Sequence, residues 1–224
     1  MTYENICIEA LTSHLSSADE PDSGFTKTQI RNFNEAILKG RALGLELPLN
    51  NLANSAGIMS YKDSHFKMVR PGIMLYGGLP SPGFESKVQL TPVMTFCGRI
   101  LQIREFPDNT PLSYGRTYRT KGQQRIAVAS AGYGDGLLRS LSNRGQVLIK
   151  GKKVPIVGRV CMNMLLCDIS HIEEAEPGDK VLFLGNENHN VITADDLAMW
   201  SDTISYEIFC SLGRCNNKEY VNET

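Results

Sequence analysis

Two short segments in the first half of the chain contain the small residues that phosphate-binding loops use. Residues 53–57 (ANSAG) follow one short predicted strand, and residues 70–73 (RPGI) follow the next. Small residues leave backbone N–H groups open to an anion, and the loops after the last strands of a (β/α)8 barrel often bind phosphate. Taken alone, the two segments are equally well read as ordinary turns.

Three tyrosines in the second half lie beside glycine or serine. Tyr114 occurs in SYG, Tyr133 in GYGDG and Tyr206 in ISYE. These positions are poorly suited to core packing, so the rings are candidates for lining a cleft. A tyrosine acts as a general base only if its pKa of about 10 is lowered, for example by a nearby cation. Turn and surface tyrosines are the alternative interpretation.

A third segment, residues 158–163 (GRVCMN), places Arg159 and Asn163 in a predicted strand-to-turn region. Arg159 is a candidate contact for an anionic ligand, and a purely structural arginine is the alternative. Six cysteines at positions 7, 97, 161, 167, 210 and 215 form no CxxC pair, and the four histidines are isolated. We therefore expect reduced thiols and no metal site.

Composition limits the classes of function. The 224 residues are 42% hydrophobic and 21% charged, with a formal net charge of -1. Such a balance offers no basic field for nucleic acid or an anionic membrane. No apolar run reaches the roughly 18 residues of a membrane helix, and the first ten residues do not resemble a secretion signal. We expect a cytoplasmic protein with a small-molecule ligand.

The elements that must position these residues change in type near residue 90. Before it, residues 26–43 are predicted to form a helix with Ile30, Phe33 and Ile37 on its apolar face. A short apolar run after Pro48 ends in a predicted polar turn at Asn54 and Ser55, and residues 77–83 (GGLPSPG) are predicted to be a loop.

After residue 90 the pattern predicts strands at 93–103, 125–131, 146–149, 154–160 and 180–184, with a single helix that begins at a capping box of Thr193 and Asp196. We therefore predict an α/β domain over residues 1–90 and a mostly β domain over residues 91–224. A complete (β/α)8 barrel takes about 250 residues, so a barrel of which residues 1–90 are part would need on the order of 150 more.

An ordered series of segments between residues 11 and 209 resembles the alanine racemase family. The series is TSHLSSADE, LANSAG, MVRPGIMLYG, LTPVM, SYGRTY, GYGDG, PIVGRVCMN and TISYEI. The resemblance implies the C-terminal portion of a (β/α)8 barrel followed by a mostly β domain of alanine-racemase type. It also implies pyridoxal 5'-phosphate (PLP) as cofactor, alanine or another small amino acid as substrate, and a homodimer in which the β domain of one subunit completes the other's site.

The resemblance further implies roles for individual residues. Tyr114 corresponds to the catalytic tyrosine, Arg70 to the arginine that faces the pyridine nitrogen, and His14 to the histidine that supports this arginine. The cofactor phosphate is assigned to Ser55, Gly72, Ile73 and Tyr206, with Asn54 beside them. The substrate is assigned to Met162, through its backbone, to Tyr133 as a gate with Arg159 and Ile204 nearby, and to Asn163.

The sequence also departs from the family pattern. Asn163 stands where an aspartate is common, Asn51 replaces a common histidine, and residues 213–217 lack the usual ending. No lysine has the K-A-N-x-Y-G context of the residue that anchors the cofactor. Three interpretations follow: half of a split racemase completed by another polypeptide, an inactive truncated gene product, or a non-enzymatic module that dimerises through its β domain.

Overall fold

The computed structural model of the protein describes residues 5–20, 24–84 and 88–221. The chain divides into two units, Met1–Thr91 and Pro92–Thr224. Each unit has its own buried apolar cluster.

In the first unit, short extended segments lie parallel to one another. Isolated bridges join Thr12 to Asn51 and Asn51 to Met68, both parallel. Helix α1 (Gly24–Ala42) connects the first segment to the second, and helix α2 (Ser55–Ser60) follows the second. Two 3₁₀ turns, Lys62–Ser64 and Ile73–Tyr76, complete the described part of this unit. Parallel segments joined through helices are the repeating pattern of a (β/α)8 barrel.

The core of the first unit forms because α1 has one apolar face. Ile30, Phe33 and Ile37 are buried and belong to the same cluster as Leu15 and Leu52 on the extended segments. Their spacing of three and four residues places them on one side of a helix. The helix and the apolar face predicted from the sequence are thus confirmed, with bounds that differ by one or two residues at each end.

The second unit is built on an antiparallel sheet. Its strands in the described residues are β1 (Phe96–Phe106), β2 (Pro111–Leu112), β3 (Tyr118–Arg119), β4 (Gln124–Ala129), β5 (Gln146–Ile149), β6 (Lys152–Val157), β7 (Leu165–Asp168), β8 (Lys180–Glu187) and β9 (Asn190–Ile192). The main sheet has the order β1-β4-β7-β6-β5-β8-β9, and β2 and β3 form a separate hairpin.

The sheet closes on itself through β1. Residues 96–99 of this strand pair with β8, and residues 100–106 pair with β4. The closed sheet surrounds a core in which Val147, Leu148 and Ile149 are all fully buried. A mostly β second domain after a partial barrel, as the sequence predicts, is confirmed.

Two helices follow the sheet. Helix α3 (Ala194–Ser201) begins at the predicted capping box, where Thr193 Oγ1 accepts from the backbone N–H of Asp196 at 3.0 Å and the Asp196 carboxylate accepts from the Thr193 N–H at 2.8 Å. Helix α4 (Ser205–Cys215) was not predicted. None of the helices in the described residues is long and apolar enough to cross a membrane.

Candidate functional site

In the first unit, the two loops proposed to bind phosphate are joined by a hydrogen bond. Ser55 Oγ accepts from the backbone N–H of Gly72 at 2.9 Å, and the N–H of Met74 lies 3.5 Å away. Ile73 begins the 3₁₀ turn that follows Gly72. The structure therefore brings Ser55, Gly72 and Ile73 together.

The polar turn predicted at Asn54 and Ser55 is instead the beginning of a helix. Asn54 is the N-cap of α2, and its Oδ1 accepts from the backbone N–H of Gly57 at 3.0 Å. Asparagine suits both a turn and an N-cap, because its side chain bonds nearby N–H groups in either setting. The prediction of a turn was wrong because the following residues, AGIMS, are few and carry no clear helical period.

Arg70 is held by a cluster of polar groups beside these loops. Its Nη2 donates to the carbonyl oxygen of Ser13 at 2.6 Å and lies 3.3 Å from Nδ1 of His14. Its Nη1 donates to Oδ1 of Asn51. The other ring nitrogen of His14 lies 3.3 Å from Nδ2 of Asn54. The structure thus places a fixed cation next to the loop that carries Ser55.

Asn51 has a larger part in this cluster than the sequence indicated. Its side chain is buried, and its Nδ2 donates to Oγ1 of Thr12 and to the carbonyl oxygen of Leu49, both at 3.1 Å. The amide therefore connects Arg70 to the parallel segments of the first unit. The only sequence signal was that Asn51 replaces a histidine common in the family.

In the second unit, Tyr114 lies in a tight turn that packs against Arg159. The 3₁₀ turn Tyr114–Arg116 follows β2, and 71% of the Tyr114 side chain is exposed. A Cβ atom added to Gly115 would lie 3.0 Å from Cζ of Arg159, so the guanidinium rests on the turn because position 115 is glycine. The structure therefore brings a cation next to the tyrosine turn.

Tyr133 lies in a second turn that packs against residues 161–163. The N–H of Tyr133 donates to the carbonyl of Cys161 at 3.0 Å, and the N–H of Gly134 donates to the carbonyl of Met162 at 2.7 Å. A Cβ on Gly132 would lie 2.2 Å from the carbonyl oxygen of Cys161, so this close approach requires glycine. Tyr133 and Met162 are therefore neighbours.

Only the N–H side of the backbone at Met162 can bind a carboxylate. Its carbonyl oxygen already accepts a hydrogen bond, and a carbonyl and a carboxylate are both acceptors. Any contact of this backbone with a substrate carboxylate must therefore come from an N–H group. Asn163 lies at the same turn, because its Nδ2 would be 3.3 Å from a Cβ on Gly134.

Tyr206 and Ile204 lie at the start of α4, which packs on the loop that carries Tyr133. Ile204 is the N-cap of the helix, and Tyr206 is in its first turn. Nδ2 of Asn216 donates to the carbonyl of Asp135 at 2.8 Å, joining the end of α4 to this loop. Tyr206 belongs to the second unit and Ser55 to the first, so its place in the phosphate group stays a prediction.

An apolar pocket of about 360 Å³ opens beside Tyr114. Its walls come from the tyrosine turn, the loop before β7 and the start of β7, and its lining residues are Ser113, Tyr114, Cys161, Met164, Leu165 and Leu166. Tyr114 and Met164, which line the pocket, are exposed, and so is Met162. A concave apolar surface next to a polar group suits a small ligand or another protein chain.

The described residues include histidine, cysteine and acidic side chains. They contain no group of three or more histidine, cysteine or acidic side chains that could hold a metal ion. The six cysteines are free, and burial raises the pKa of the Cys167 thiol, which keeps it protonated and unreactive.

Comparison with protein families relates both units to the same kind of enzyme. The family model "Alanine racemase, N-terminal domain" matches residues 1–80, and "Alanine racemase, C-terminal domain" matches residues 93–220. The chain is 43% identical to alanine racemase from Syntrophobacter fumaroxidans over 222 residues, which are 99% of this chain and 59% of that protein. Alanine racemase from Halothermothrix orenii is 42% identical, with the same coverage.

Solved structures give the same relationship. Alanine racemase from Streptomyces coelicolor superposes with a TM-score of 0.91 at 33% identity, covering 97% of this chain and 57% of that one. Alanine racemase from Bacillus anthracis with bound L-Ala-P superposes with a TM-score of 0.82 at 32% identity, covering 91% and 53%. The chain therefore spans somewhat more than half the length of the relatives it matches.

Proposed function

The chain belongs to the alanine racemase family, and from this premise we propose that it supplies one side of a PLP-dependent site that interconverts L- and D-alanine. One observation carries the proposal: Arg70 is fixed by Ser13, His14 and Asn51 beside the paired loops of Ser55 and Gly72. A fixed cation next to hydroxyl and N–H donors matches the two ends of PLP, its ring nitrogen and its phosphate.

The donor groups present fit the cofactor. Phosphate oxygens accept hydrogen bonds, and the hydroxyl of Ser55 and the backbone N–H of Ile73 can donate them, while the N–H of Gly72 donates to Ser55 Oγ and holds that hydroxyl in place. A hydroxyl that accepts from two N–H groups, as Ser55 does, keeps its own proton for donation. We propose that Ser55, Gly72 and Ile73 hold the phosphate and that Asn54 shapes their loop. By its resemblance to the family, Tyr206 is proposed as a further contact of the phosphate.

Arg70 would face the pyridine nitrogen of the cofactor. Because a guanidinium only donates hydrogen bonds and stays charged, it disfavours a protonated ring. His14 and Asn51 keep the guanidinium in place through the contacts described above. When bound, PLP would withdraw electrons from the substrate α-carbon and so acidify its proton.

Tyr114 would move that proton on one face of the substrate. Racemisation needs a second proton-transfer group on the opposite face, because the proton leaves one side and returns on the other. The family supplies this group with the lysine that anchors the cofactor. We propose that the lysine comes from a barrel segment outside the 224 residues, carried either by a longer form of this polypeptide or by a separate one.

The substrate side of the site would come from the β unit of a second subunit. We propose that Tyr114, Tyr133 and Met162 act across a homodimer interface, with Arg159 and Asn163 beside them. Their exposure is what an interface between subunits requires. A solved relative carries bound L-Ala-P, which supports alanine as the substrate. We further propose a cytoplasmic site of action, where D-alanine supplies peptidoglycan precursors.

A racemisation assay on the purified chain tests the proposal. The chain alone, with added PLP, should show no racemisation above background, because it lacks a general base worth about 10²–10⁴-fold in rate and the covalent anchor of the cofactor. Adding the lysine-bearing barrel segment of a relative should restore activity and produce a PLP absorbance band.

Each other outcome decides against part of the proposal. If the combined polypeptides form a stable complex but show neither PLP binding nor activity, the chain is an inactive product or a dimerising module. Efficient turnover by the chain alone would show that one of its own lysines anchors the cofactor.

A further inference from the structure

We propose that Ser113 is a positioning residue, which holds Tyr114 in place by tying the tyrosine turn to residues 158 and 159. The tie itself is a property of this fold, and only its effect on catalysis rests on the proposed function. Four features of the two turns carry this assignment: a backbone conformation, a pair of hydrogen bonds, two glycine contacts and the exposure of the tyrosine.

The backbone of Ser113 has a conformation that favours glycine. Its φ is 61° and its ψ is 176°, a region of the Ramachandran map that residues with a Cβ rarely occupy. Glycine would adopt this conformation without strain but would have no hydroxyl. A serine held here implies that its side chain has a task, since strained residues persist only where their surroundings fix them.

The hydroxyl of Ser113 makes two hydrogen bonds to one residue. Its Oγ donates to the carbonyl oxygen of Arg159 at 2.8 Å and accepts from the Arg159 N–H at 3.0 Å. Both backbone polar groups of Arg159 are therefore satisfied by one side chain from the neighbouring loop. Arg159 is also the residue whose guanidinium rests on Gly115, so the two loops touch twice.

Glycines on both loops make this approach possible. Gly158 has a φ of 74°, and a Cβ there would lie 2.5 Å from Cβ of Ser113, which is closer than real Cβ atoms come. The carbonyl of Ser113 accepts from the N–H of Arg116 at 3.1 Å, which closes the turn around Tyr114. The backbone of Tyr114 is therefore fixed by contacts on either side of it.

This matters because the tyrosine is not held by burial. Its side chain is 71% exposed, so burial does not restrain it in this chain. A proton-transfer group must be aligned with the reacting atom, and a displacement of about 1 Å can cost on the order of 10²-fold in rate. In this fold the alignment of Tyr114 comes from its backbone, and Ser113 makes the hydrogen bonds that fix it.

Trypsin cleavage of the folded 224-residue chain tests the tie without an activity assay. Arg116 lies in the turn, and proteases cut where the backbone opens locally. Ser113→Ala removes the hydrogen bonds and keeps the strained backbone, whereas Ser113→Gly removes both. We expect both variants to speed cleavage after Arg116 about tenfold or more, while cleavage after exposed Lys121 is unchanged.

A matched control separates the tie from general loosening of the fold. Ser170 Oγ also makes two hydrogen bonds: it accepts from the Arg125 N–H at 3.0 Å and donates to the Asp168 carboxylate at 2.5 Å. Ser170→Ala should leave cleavage after Arg116 unchanged. Unchanged cleavage in both Ser113 variants would overturn the tie. Faster cleavage in Ser113→Ala but not in Ser113→Gly would assign the effect to strain and overturn it as well.

The catalytic consequence is measured in the complex with the lysine-bearing segment. Both Ser113 variants should lower kcat about 10- to 100-fold, with KM and the Kd for PLP changed less than about threefold. Faster cleavage with an unchanged kcat would leave the tie standing and overturn the positioning role. If the wild-type complex itself is inactive, the proposed function fails, whereas the cleavage result still decides whether the tie exists.

Discussion

The two units of the protein obtain their backbone hydrogen bonds in different ways. In the second unit the sheet closes on itself, and β1 pairs along its length with β8 and then β4. In the described residues of the first unit, single bridges at Thr12, Asn51 and Met68 join the extended segments. The second unit is therefore closed in its strand pairing, whereas the described residues of the first unit present their chemical groups on a less connected scaffold.

Both units expose large apolar side chains. In the first unit they lie on α1, in the 3₁₀ turn Ile73–Tyr76 and in the connecting segments, at Ile6, Ile8, Phe25, Leu38, Leu43, Leu45, Leu49, Met68, Leu75 and Tyr76. In the second unit, exposed side chains of this kind include Tyr114, Tyr133 and Met162 beside the proposed site. Because its extended segments are joined by single bridges in the described residues, we expect the first unit to be less stable by itself than the second.

The largest expected effect separates the chemical roles of the two units. In the complex with a lysine-bearing segment, Tyr114→Phe should lower racemisation by about 10²–10⁴-fold and leave PLP affinity unchanged, because only proton transfer is lost. Ser55→Ala in the first unit should instead weaken PLP binding about tenfold through a lost hydrogen bond to a charged group. Absorbance titration with PLP and initial rates distinguish the two. Equal loss of PLP affinity in both variants would contradict the division of roles.

The next effect concerns stability. Leu148 and Leu52 are both fully buried, one in each unit. Leu148→Ala should lower the free energy of unfolding of the second unit by about 2–5 kcal/mol, the cost of a buried leucine and the cavity that it leaves. Trp200, the only tryptophan, packs against the core of that unit and reports its urea transition.

Leu52→Ala provides the matched comparison. Because Leu52 belongs to the core of the first unit, its loss should leave the Trp200 transition unchanged while speeding amide exchange in residues 49–53. If Leu52→Ala shifts the Trp200 transition as far as Leu148→Ala does, the units unfold together and the comparison fails.

A smaller effect is expected at the helix caps. Thr193→Ala should destabilise the second unit by about 1 kcal/mol, since Thr193 Oγ1 caps α3 through the N–H of Asp196. Trp200 fluorescence during urea unfolding measures this directly. Asn54→Ala removes the corresponding cap in the first unit and should not move the same transition. An unchanged midpoint in Thr193→Ala would mean that α3 is held by packing alone.

The smallest effect is pH-dependent and confined to the surface of the second unit. A hydrogen bond from Lys150 holds the pKa of Asp179 below its ordinary range, with help from the N–H of Glu176. A lowered pKa in the folded state contributes stability above about pH 4, which is lost as the carboxylate is protonated at lower pH. Asp179→Asn should therefore be slightly less stable at pH 7, and the difference should shrink in acid. A difference that stays constant from pH 7 to pH 3 would exclude this origin.

The main elements of the fold were predictable because the sequence carries their periodicity and their caps. Ile30, Phe33 and Ile37 predict α1 at helical spacing, and Thr193 with Asp196 predicts the start of α3. Helix α4 was not predicted from the sequence, where residues 204–207 stand out as a tyrosine motif. Its signal was nonetheless present, since Ile208 and Leu212 lie four residues apart and are both buried.

The sequence singled out candidate site residues, whose roles stay a prediction, but it did not indicate their contacts. The sequence order identified Arg70 and Ser55, and local spacing suggested that the loops carrying them would meet. It did not indicate that Asn51 would bind Arg70 or that Ser113 would bind Arg159, because these contacts join positions 19 and 46 residues apart. Pairings over such distances are set by tertiary structure, which a single sequence does not display.

The closure of the sheet through β1 affects how the protein folds during synthesis. Residues 96–99 pair with residues 180–184, so the sheet can close only after more than eighty further residues have left the ribosome. Such long-range pairing slows folding, and until it forms the first strand has an open edge that can pair with other chains. The nascent protein should therefore be most prone to aggregation while β1 awaits β8, and least prone once β8 has sealed it.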